Sequence, residues 1–96
     1  MEIVKTKNEN ALAVALTGRL DTTTAPQLEE ALELDGVQAL EFDFEALDYI
    51  SSAGLRVLLA AQKVMNKQGE MKIKNVNSDI MEVFEITGFS DILTIE

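Results

Sequence analysis

Alternation of apolar and polar residues predicts two strands at the start of the chain. Residues 11–16 place bulky aliphatic side chains on one side and two alanines, Ala13 and Ala15, on the other. Because both sides are apolar, we expect a central strand with another element packed closely over the alanines. Residues 2–7 precede it across a polar turn at 8–10, and the two runs are expected to pair as a hairpin.

A similar alternation recurs further along the chain. Residues 39–44 direct three bulky apolar side chains inward and two carboxylates outward, and residues 71–76 open with apolar residues alternating with lysines. Residues 92–95 are predicted to form a last edge strand. Gly18, just after the second strand, is expected to mark a bulge or a close approach of the backbone.

Between these strands the apolar residues recur at intervals of three and four, which is typical of helices lying on a core. The pattern predicts helices over residues 24–34, 52–67 and 79–87. The apolar stripes are, in order, Ala25, Leu28, Ala31 and Leu32; Gly54, Val57, Leu58, Ala61, Val64 and Met65; and Ile80, Val83 and Phe84, with Ile86 beside them. The order β-β-α-β-α-β-α-(β) predicts an α/β fold, since a strand–helix–strand crossover joins parallel strands.

Residues that favour helix ends flank the first two helices. Thr24 and Gln27 have the spacing of a capping box, and Asp35-Gly36 is expected to end the first helix. Ser51 or Ser52 is expected at the N-cap of the second helix, because a serine oxygen accepts the unpaired N–H groups of a first turn. Most serines at such a position have only this structural role.

Composition narrows the possible chemistry. The chain has 96 residues, the size of one domain, and contains neither cysteine nor histidine. A serine nucleophile would therefore lack its usual base, and the commonest metal ligand is missing. Asp21 and Asp48 could together bind Mg²⁺, but loop carboxylates are usually solvated, and there is no glycine-rich phosphate loop. We expect no enzyme activity, no cofactor and no metal.

The charge of the chain bears on its partners. A formal net charge of −9 argues against nucleic acid, because phosphate contacts dominate that affinity. The acidic surface fits a basic protein partner approached by electrostatic steering, or serves solubility alone. No stretch approaches about 18 consecutive apolar residues, so we expect no membrane contact and a cytoplasmic location.

The strongest candidate for chemistry is the serine pair at the start of the second helix. Ala53 and Gly54 follow it and are small, which leaves the first helical turn uncovered for a kinase. A phosphate on Ser51 or Ser52 would meet unpaired N–H donors and the positive end of the helix dipole. The two roles to weigh for these serines are therefore a helix cap and a phosphorylation site.

Two motifs resemble the STAS domain of bacterial anti-sigma factor antagonists. One is Leu47-Asp48-Tyr49-Ile50-Ser51-Ser52-Ala53-Gly54-Leu55, which is similar to the family's hydrophobic pair, small polar residue, Ser, Ser or Thr, Gly and Leu. The other is Gly18-Arg19-Leu20-Asp21, followed by a helix. The resemblance spans essentially the whole chain. It implies the STAS fold, a mixed sheet of four to five strands with three to four helices, as a single domain over residues 1–96.

The resemblance also implies a function. Anti-sigma factor antagonists of this family bind an anti-sigma factor that is also a serine kinase, and thereby free the sigma factor. The kinase phosphorylates the antagonist and releases it, and a PP2C-type phosphatase restores it. By this resemblance the chain is a cytoplasmic partner-switching regulator, a monomer or weak dimer that contacts neither nucleic acid nor membrane. The alternative is a STAS module that binds a protein or a small ligand in another signalling or transport system.

The resemblance assigns the site residues position by position. Aligned on Gly54 and Leu55, the family's usual phosphoacceptor falls on Ala53, which has no hydroxyl. The preceding conserved serine falls on Ser52, which we predict as the acceptor, with Ser51 as second choice. The expected partner-binding residues are Asp21, Asp48, Tyr49, Ser51, Ser52, Ala53, Gly54 and Arg56.

Four of these residues also have purely structural interpretations. Asp21 could only cap the threonine-rich helix start, and Gly54 could only fit tight packing against the sheet. Arg56 could pair with a nearby carboxylate, which we favour over a partner contact. Tyr49 is either a surface anchor, since aromatic residues are enriched at binding hot spots, or a half-buried core residue, which we favour.

Overall fold

The chain folds into four strands and three helices in the computed structural model, which describes residues 1–96. The elements are β1 (Glu2–Asn8), β2 (Ala11–Leu20), α1 (Ala25–Ala31), β3 (Ala39–Ile50), α2 (Ser52–Gln68), β4 (Glu70–Lys74) and α3 (Ser78–Thr87). The strands form one sheet in the order β1-β2-β3-β4, antiparallel between β1 and β2 and parallel elsewhere. The predicted α/β class, hairpin and parallel crossovers are confirmed.

The core lies between the helices and one face of the sheet. It contains 22 buried apolar residues in a single cluster. Phe42 and Phe44 of β3 are fully buried in it with Phe84 of α3, and the ring centroids of Phe44 and Phe84 are 6.5 Å apart. The strand residues predicted to point inward occupy this face, so the period-2 pattern identified the core correctly.

The opposite face of the sheet is open, so the expected layer over the alanines of β2 is wrong. Ala13 is exposed and Ala15 is half-buried. Ala13 lies beside Glu41 of the neighbouring strand, and Glu41 pairs with Lys74 at 3.0 Å across the same face. Charged groups on adjacent strands make this face polar, and the pattern of β2 taken alone could not reveal them.

β3 continues to Ile50, well beyond the predicted strand at residues 39–44. Its second half stays in the sheet because it pairs with the end of β2, as far as Leu20 opposite Ile50. Two shifts of register accommodate the extra residues, and one of them follows Gly18, whose φ is +99°. The bulge predicted at Gly18 is confirmed.

α1 ends at Ala31, well before the predicted stop at Asp35-Gly36. The residue that follows it is extended, with φ −82° and ψ 104°. The Lys5 ammonium donates to the carbonyl of Ala31 at 2.8 Å, and the Gln68 amide donates to the carbonyl of Val37 at 2.6 Å. These tertiary hydrogen bonds satisfy backbone carbonyls at and beyond the end of α1. The chain therefore leaves the helix at Ala31, although its residue pattern predicted a helix as far as residue 34.

The apolar stripes of α2 and α3 are mostly buried, with two exceptions. Val64 exposes 41% of its surface and Ile86 exposes 77%. Val64 stays exposed because the shortened α1 leaves an uncovered groove lined in part by Leu32, Leu34 and Val64. On the other side of the stripe, Leu55 and Gln62 of α2 are buried.

The strands at the β4 edge are shorter than predicted. β4 ends at Lys74 because Asn75 adopts a left-handed conformation with φ 59°, and its side-chain amide donates to the Asp43 carboxylate at 3.0 Å. The predicted last strand at 92–95 is reduced to one parallel bridge between Ile73 and Ile95, preceded by a 3-10 turn.

Candidate functional site

The carboxyl ends of β2 and β3 lie side by side and bring the two sequence motifs together. Leu20 is opposite Ile50, and the backbone N–H of Ser51 donates to the carbonyl of Leu20 at 2.9 Å. This bond extends the sheet by one step into the loop before α2. As a result, Asp21 of one motif and Ser51 of the other leave adjacent strands at the same edge, where functional loops of parallel sheets gather.

Asp21 organises the turn that leads into α1. Its carboxylate accepts the backbone N–H groups of Thr23 and Thr24 at 3.0 and 3.1 Å. In return the hydroxyl of Thr24 accepts the backbone N–H of Asp21 at 2.8 Å and donates to the carbonyl of Arg19 at 2.7 Å. The reciprocal pair is therefore Asp21–Thr24, and the predicted capping box between Thr24 and Gln27 is wrong.

The hydrogen bonds to Asp21 also affect its protonation. The hydrogen bond from the backbone N–H of Thr24 holds the pKa of the Asp21 carboxyl below its ordinary value. The backbone N–H of Thr23 and the positive charge of Arg19 lower this pKa further. The carboxylate therefore stays ionised at neutral pH. This capping role matches the structural interpretation given for Asp21. The Asp21 side chain is still about 29% exposed.

The two serines differ in accessibility. Ser51 occupies the N-cap position with φ −103° and ψ 176°, but its side chain makes no capping hydrogen bond. The Ser51 hydroxyl oxygen is buried and has no partner. Ser52 is the first residue of α2 and is exposed. Only Ser52 thus presents its hydroxyl to solvent, and no side chain caps the first turn of α2.

Gly54 lies beneath this surface and packs against the sheet. A methyl group at Gly54 would sit 2.7 Å from Cγ of Leu20 and 2.9 Å from Cγ1 of Ile50. Both distances are shorter than any ordinary carbon–carbon contact. The glycine therefore lets the first turn of α2 approach the ends of β2 and β3, which matches its packing interpretation.

Tyr49 and Arg19 form a stacked pair on the surface. They are neighbours in register on β3 and β2, and the Arg19 guanidinium carbon lies 4.2 Å from the centre of the Tyr49 ring. Arg19 also lies 3.6 Å from the Asp21 carboxylate. Tyr49 exposes 41% of its surface, so the favoured core interpretation of Tyr49 is wrong. The sequence analysis assigned no role to Arg19, although Arg19 lies within the motif Gly18-Arg19-Leu20-Asp21.

The remaining predicted residues lie close to Ser52 in the chain. Asp48 is exposed at the end of β3, and Ala53 is half-buried. Arg56 is exposed, and none of the three ion pairs of the protein includes it, which contradicts the favoured pairing with a carboxylate. Ala53 and Arg56 line a shallow groove together with Thr22 and Glu29 of the α1 region.

Asn77 is a further residue at this edge that sequence reasoning did not select. Its side-chain oxygen accepts the backbone N–H of Ile80 at 2.8 Å and so caps α3. Its side-chain nitrogen donates to the carbonyl of Leu47 at 3.0 Å. Asn77 therefore ties the start of α3 to the segment of β3 that precedes Asp48. The position of Asn77 just before the helical pattern of α3 could have identified it, because asparagine is a favoured N-cap residue.

Comparisons with known proteins identify the family. The model of the STAS domain matches residues 2–96. The chain belongs to the STAS domain family. BtrV of Bordetella bronchiseptica, named as a candidate anti-sigma factor antagonist, is 38% identical to this STAS domain over 99 residues, covering 99% of the chain and 85% of BtrV. The anti-sigma-B factor antagonist of Bacillus subtilis is 34% identical over 92 residues, covering 93% of the chain and 84% of that protein.

The fold of this STAS domain is also that of SpoIIAA, an anti-sigma factor antagonist of Bacillus. The unphosphorylated form of SpoIIAA superposes with a TM-score of 0.75 at 18% identity, covering 99% of the chain and 87% of SpoIIAA. A structure of phosphorylated SpoIIAA superposes with the same TM-score. The named relatives are regulatory binding proteins and not enzymes, in agreement with the expectation from the sequence. No helix of this STAS domain is long and apolar enough to cross a membrane.

Proposed function

We propose that this STAS domain is an anti-sigma factor antagonist that is switched off by phosphorylation of Ser52. In this proposal it binds an anti-sigma factor with serine kinase activity in the cytoplasm, as a monomer or weak dimer, and a PP2C-type phosphatase reverses the modification. Membership of the family and the names of the relatives support the antagonist role. The observation that selects the acceptor is the contrast between the exposed Ser52 and the buried hydroxyl of Ser51.

The first turn of α2 can hold a phosphate without unfolding. A phosphoserine adds about −1.5 to −2 charges at neutral pH. No side chain caps the N–H groups of this turn, so they remain available as donors, and the helix dipole favours an anion there. We therefore expect phosphorylation to change the surface of the domain much more than its fold.

The proposed partner surface consists of the exposed residues around Ser52. Its strand side consists of Tyr49, Asp48, Asp21 and the Arg19 that contacts both Tyr49 and Asp21. Ala53 and Arg56 form its helix side, while Ser51 and Gly54 support it from below. A partner fitted to a neutral hydroxyl at Ser52 would meet both bulk and negative charge after phosphorylation. A loss of about 1.4 kcal/mol of binding free energy already weakens affinity tenfold.

The decisive experiment maps the phosphate in the native host. Wild type and the variants Ser51→Ala and Ser52→Ala are expressed with an affinity tag, and fragment-ion mass spectrometry is applied before and after phosphatase treatment. We expect one phosphate on wild type and on Ser51→Ala, and none on Ser52→Ala. A phosphate that persists in Ser52→Ala would assign the acceptor elsewhere.

Capture of partners from the same host tests the antagonist role. A protein with a histidine-kinase-like ATPase domain is expected to bind wild type and to bind Ser52→Asp at least tenfold more weakly. A matched variant at an exposed threonine, Thr6→Asp, adds the same charge on β1 opposite Ala13, near the start of β2 and away from Ser52, and is expected to bind more tightly than Ser52→Asp. Equal capture by wild type and Ser52→Asp would contradict the proposed switch.

A further inference from the structure

We propose that Arg56 is a positioning residue that captures the phosphate of Ser52 and so provides the counter-ion of the modified state. The inference rests on the proposed phosphorylation of Ser52 and adds to it the way in which the phosphorylated surface is organised. It assigns Arg56 a role toward a group on its own chain, in addition to any contact with a partner.

The helix geometry directs Arg56 toward Ser52. The two residues are the first and fifth of α2 and are therefore neighbours on one face, as residues four apart in a helix are. Side chains of a helix tilt toward its N-terminus, so the long arginine side chain leans over the turn that contains Ser52. Arg56 also lines a groove with Ala53 and Thr22, which places it at the first turn of α2.

Arg56 is available for a new anion. It is exposed, and the cations in the ion pairs of the protein are Arg19, Lys72 and Lys74. Arg19 is the other arginine near the site, but it is already held by the Tyr49 ring and the Asp21 carboxylate. The guanidinium of Arg56 forms no such contact, so capturing a phosphate would break no existing interaction of this side chain.

A phosphate is a better partner for Arg56 than the carboxylates in its neighbourhood. Asp21 is engaged by the turn before α1, Asp48 lies at the end of β3, and Glu29 lines the same groove without pairing. A phosphate carries nearly twice their charge and offers oxygens that match the planar guanidinium in a bidentate geometry. The acid-before-base order along the helix is also the favourable one.

The consequence is that phosphorylation changes two features of the surface at once. Before modification the Arg56 guanidinium projects into solvent and is free to meet an acidic group of a partner. After modification the phosphate holds it against the first turn of α2. The surface thus gains a negative group and loses an accessible cation, and both changes oppose binding of the same partner.

The test uses the full chain with phosphoserine installed at position 52 during translation, and needs neither kinase nor partner. The ³¹P chemical shift is followed between about pH 4 and pH 8, because the second ionisation of phosphoserine has its midpoint near 6. The variants are Arg56→Gln, Arg56→Lys and the control Lys63→Gln. Lys63 is an exposed cation on the same face of α2, about two turns beyond Arg56 and about three turns beyond Ser52.

We expect Arg56→Gln to raise the titration midpoint by about 0.3 pH unit or more, since a close cation favours the dianion. Arg56→Lys should recover part of this shift, and Lys63→Gln should change the midpoint by less than half as much. The difference between wild type and Arg56→Gln should shrink in about 1 M salt.

Equal midpoints for wild type and Arg56→Gln would overturn the proposal, and so would an equal effect of Lys63→Gln or unfolding of the phosphorylated chain. The phosphate is installed rather than enzymatically added, so the comparison of midpoints tests Arg56 and depends on no kinase. A failure of the proposed function would instead appear in the native host, as the absence of phosphate on Ser52.

Discussion

Gly54 at the start of α2 lies directly against Leu20 at the end of β2, and a methyl group on Gly54 would be 2.7 Å from Cγ of Leu20. This contact joins the two sequence motifs physically, because Leu20 precedes Asp21 and Gly54 follows the serine pair. The position of Ser52 on the surface therefore depends on how closely α2 approaches the sheet.

Gly54→Ala is expected to destabilise the protein. Overpacking costs typically about 1 to 3 kcal/mol, and the higher helix propensity of alanine offsets about 1 kcal/mol of it. We expect a net loss of up to about 2 kcal/mol in the free energy of unfolding, measured by urea denaturation. The control Ala60→Gly, at an exposed position of the same helix, reports the propensity difference alone. An increase in stability for Gly54→Ala would show that the contact with Leu20 relaxes freely.

Ser51→Ala is expected to leave stability unchanged or to raise it by up to about 1 kcal/mol. A serine that caps a helix would instead lose about 1 kcal/mol on this change. The difference in sign follows because the Ser51 hydroxyl is buried without a partner, and removing an unsatisfied polar group is not destabilising. Thermal and urea unfolding of Ser51→Ala and Ser52→Ala provide the comparison. A clear loss of stability in Ser51→Ala would reveal a hydrogen bond to this hydroxyl in solution.

Asp21 is expected to make stability depend on pH in the acid range. Its pKa in the folded state lies below the ordinary value of 3.8, chiefly because the Thr24 backbone N–H donates to it. The sign follows from linkage: the stabilisation is complete above the unfolded pKa and is lost as pH falls through the folded pKa. Asp21→Asn does not titrate, so its stability deficit relative to wild type should shrink as pH is lowered from about 6 to 3.

A variant of Arg19 distinguishes the causes of this pH dependence. The Arg19 charge contributes less to the low pKa of Asp21 than the Thr24 backbone does. The free energy of unfolding of Arg19→Gln should therefore change between pH 6 and pH 3 by almost as much as that of wild type. A deficit of Asp21→Asn that stays constant over this range would rule out Asp21 as the titrating group.

Arg19 and Tyr49 are expected to be energetically coupled. A cation over an exposed aromatic ring contributes about 0.5 to 1 kcal/mol, and the guanidinium carbon lies 4.2 Å from the ring centre. A double-mutant cycle with Arg19→Gln and Tyr49→Leu, measured by urea unfolding, should give a coupling energy of this size. The same cycle with Arg56→Gln in place of Arg19→Gln serves as control and should give none. Equal coupling in both cycles would indicate a general charge effect.

The sequence by itself determined the class, the order of elements and the core face of this STAS domain. Alternation along β3 and the three-to-four spacing along α2 depend only on which side of one strand or one helix faces the core. Both patterns can therefore be recognised in the sequence before the tertiary structure is known. The two motifs likewise led to the family and to the serine pair.

Tertiary structure alone decided the features that depend on residues distant in sequence. Lys5 and Gln68 hold the carbonyls at and beyond the end of α1, and charged groups on neighbouring strands leave Ala13 in solvent. The choice between the serines has the same origin. Ser51 and Ser52 are chemically identical, and only the docking of α2 on the ends of β2 and β3 buries one hydroxyl and exposes the other.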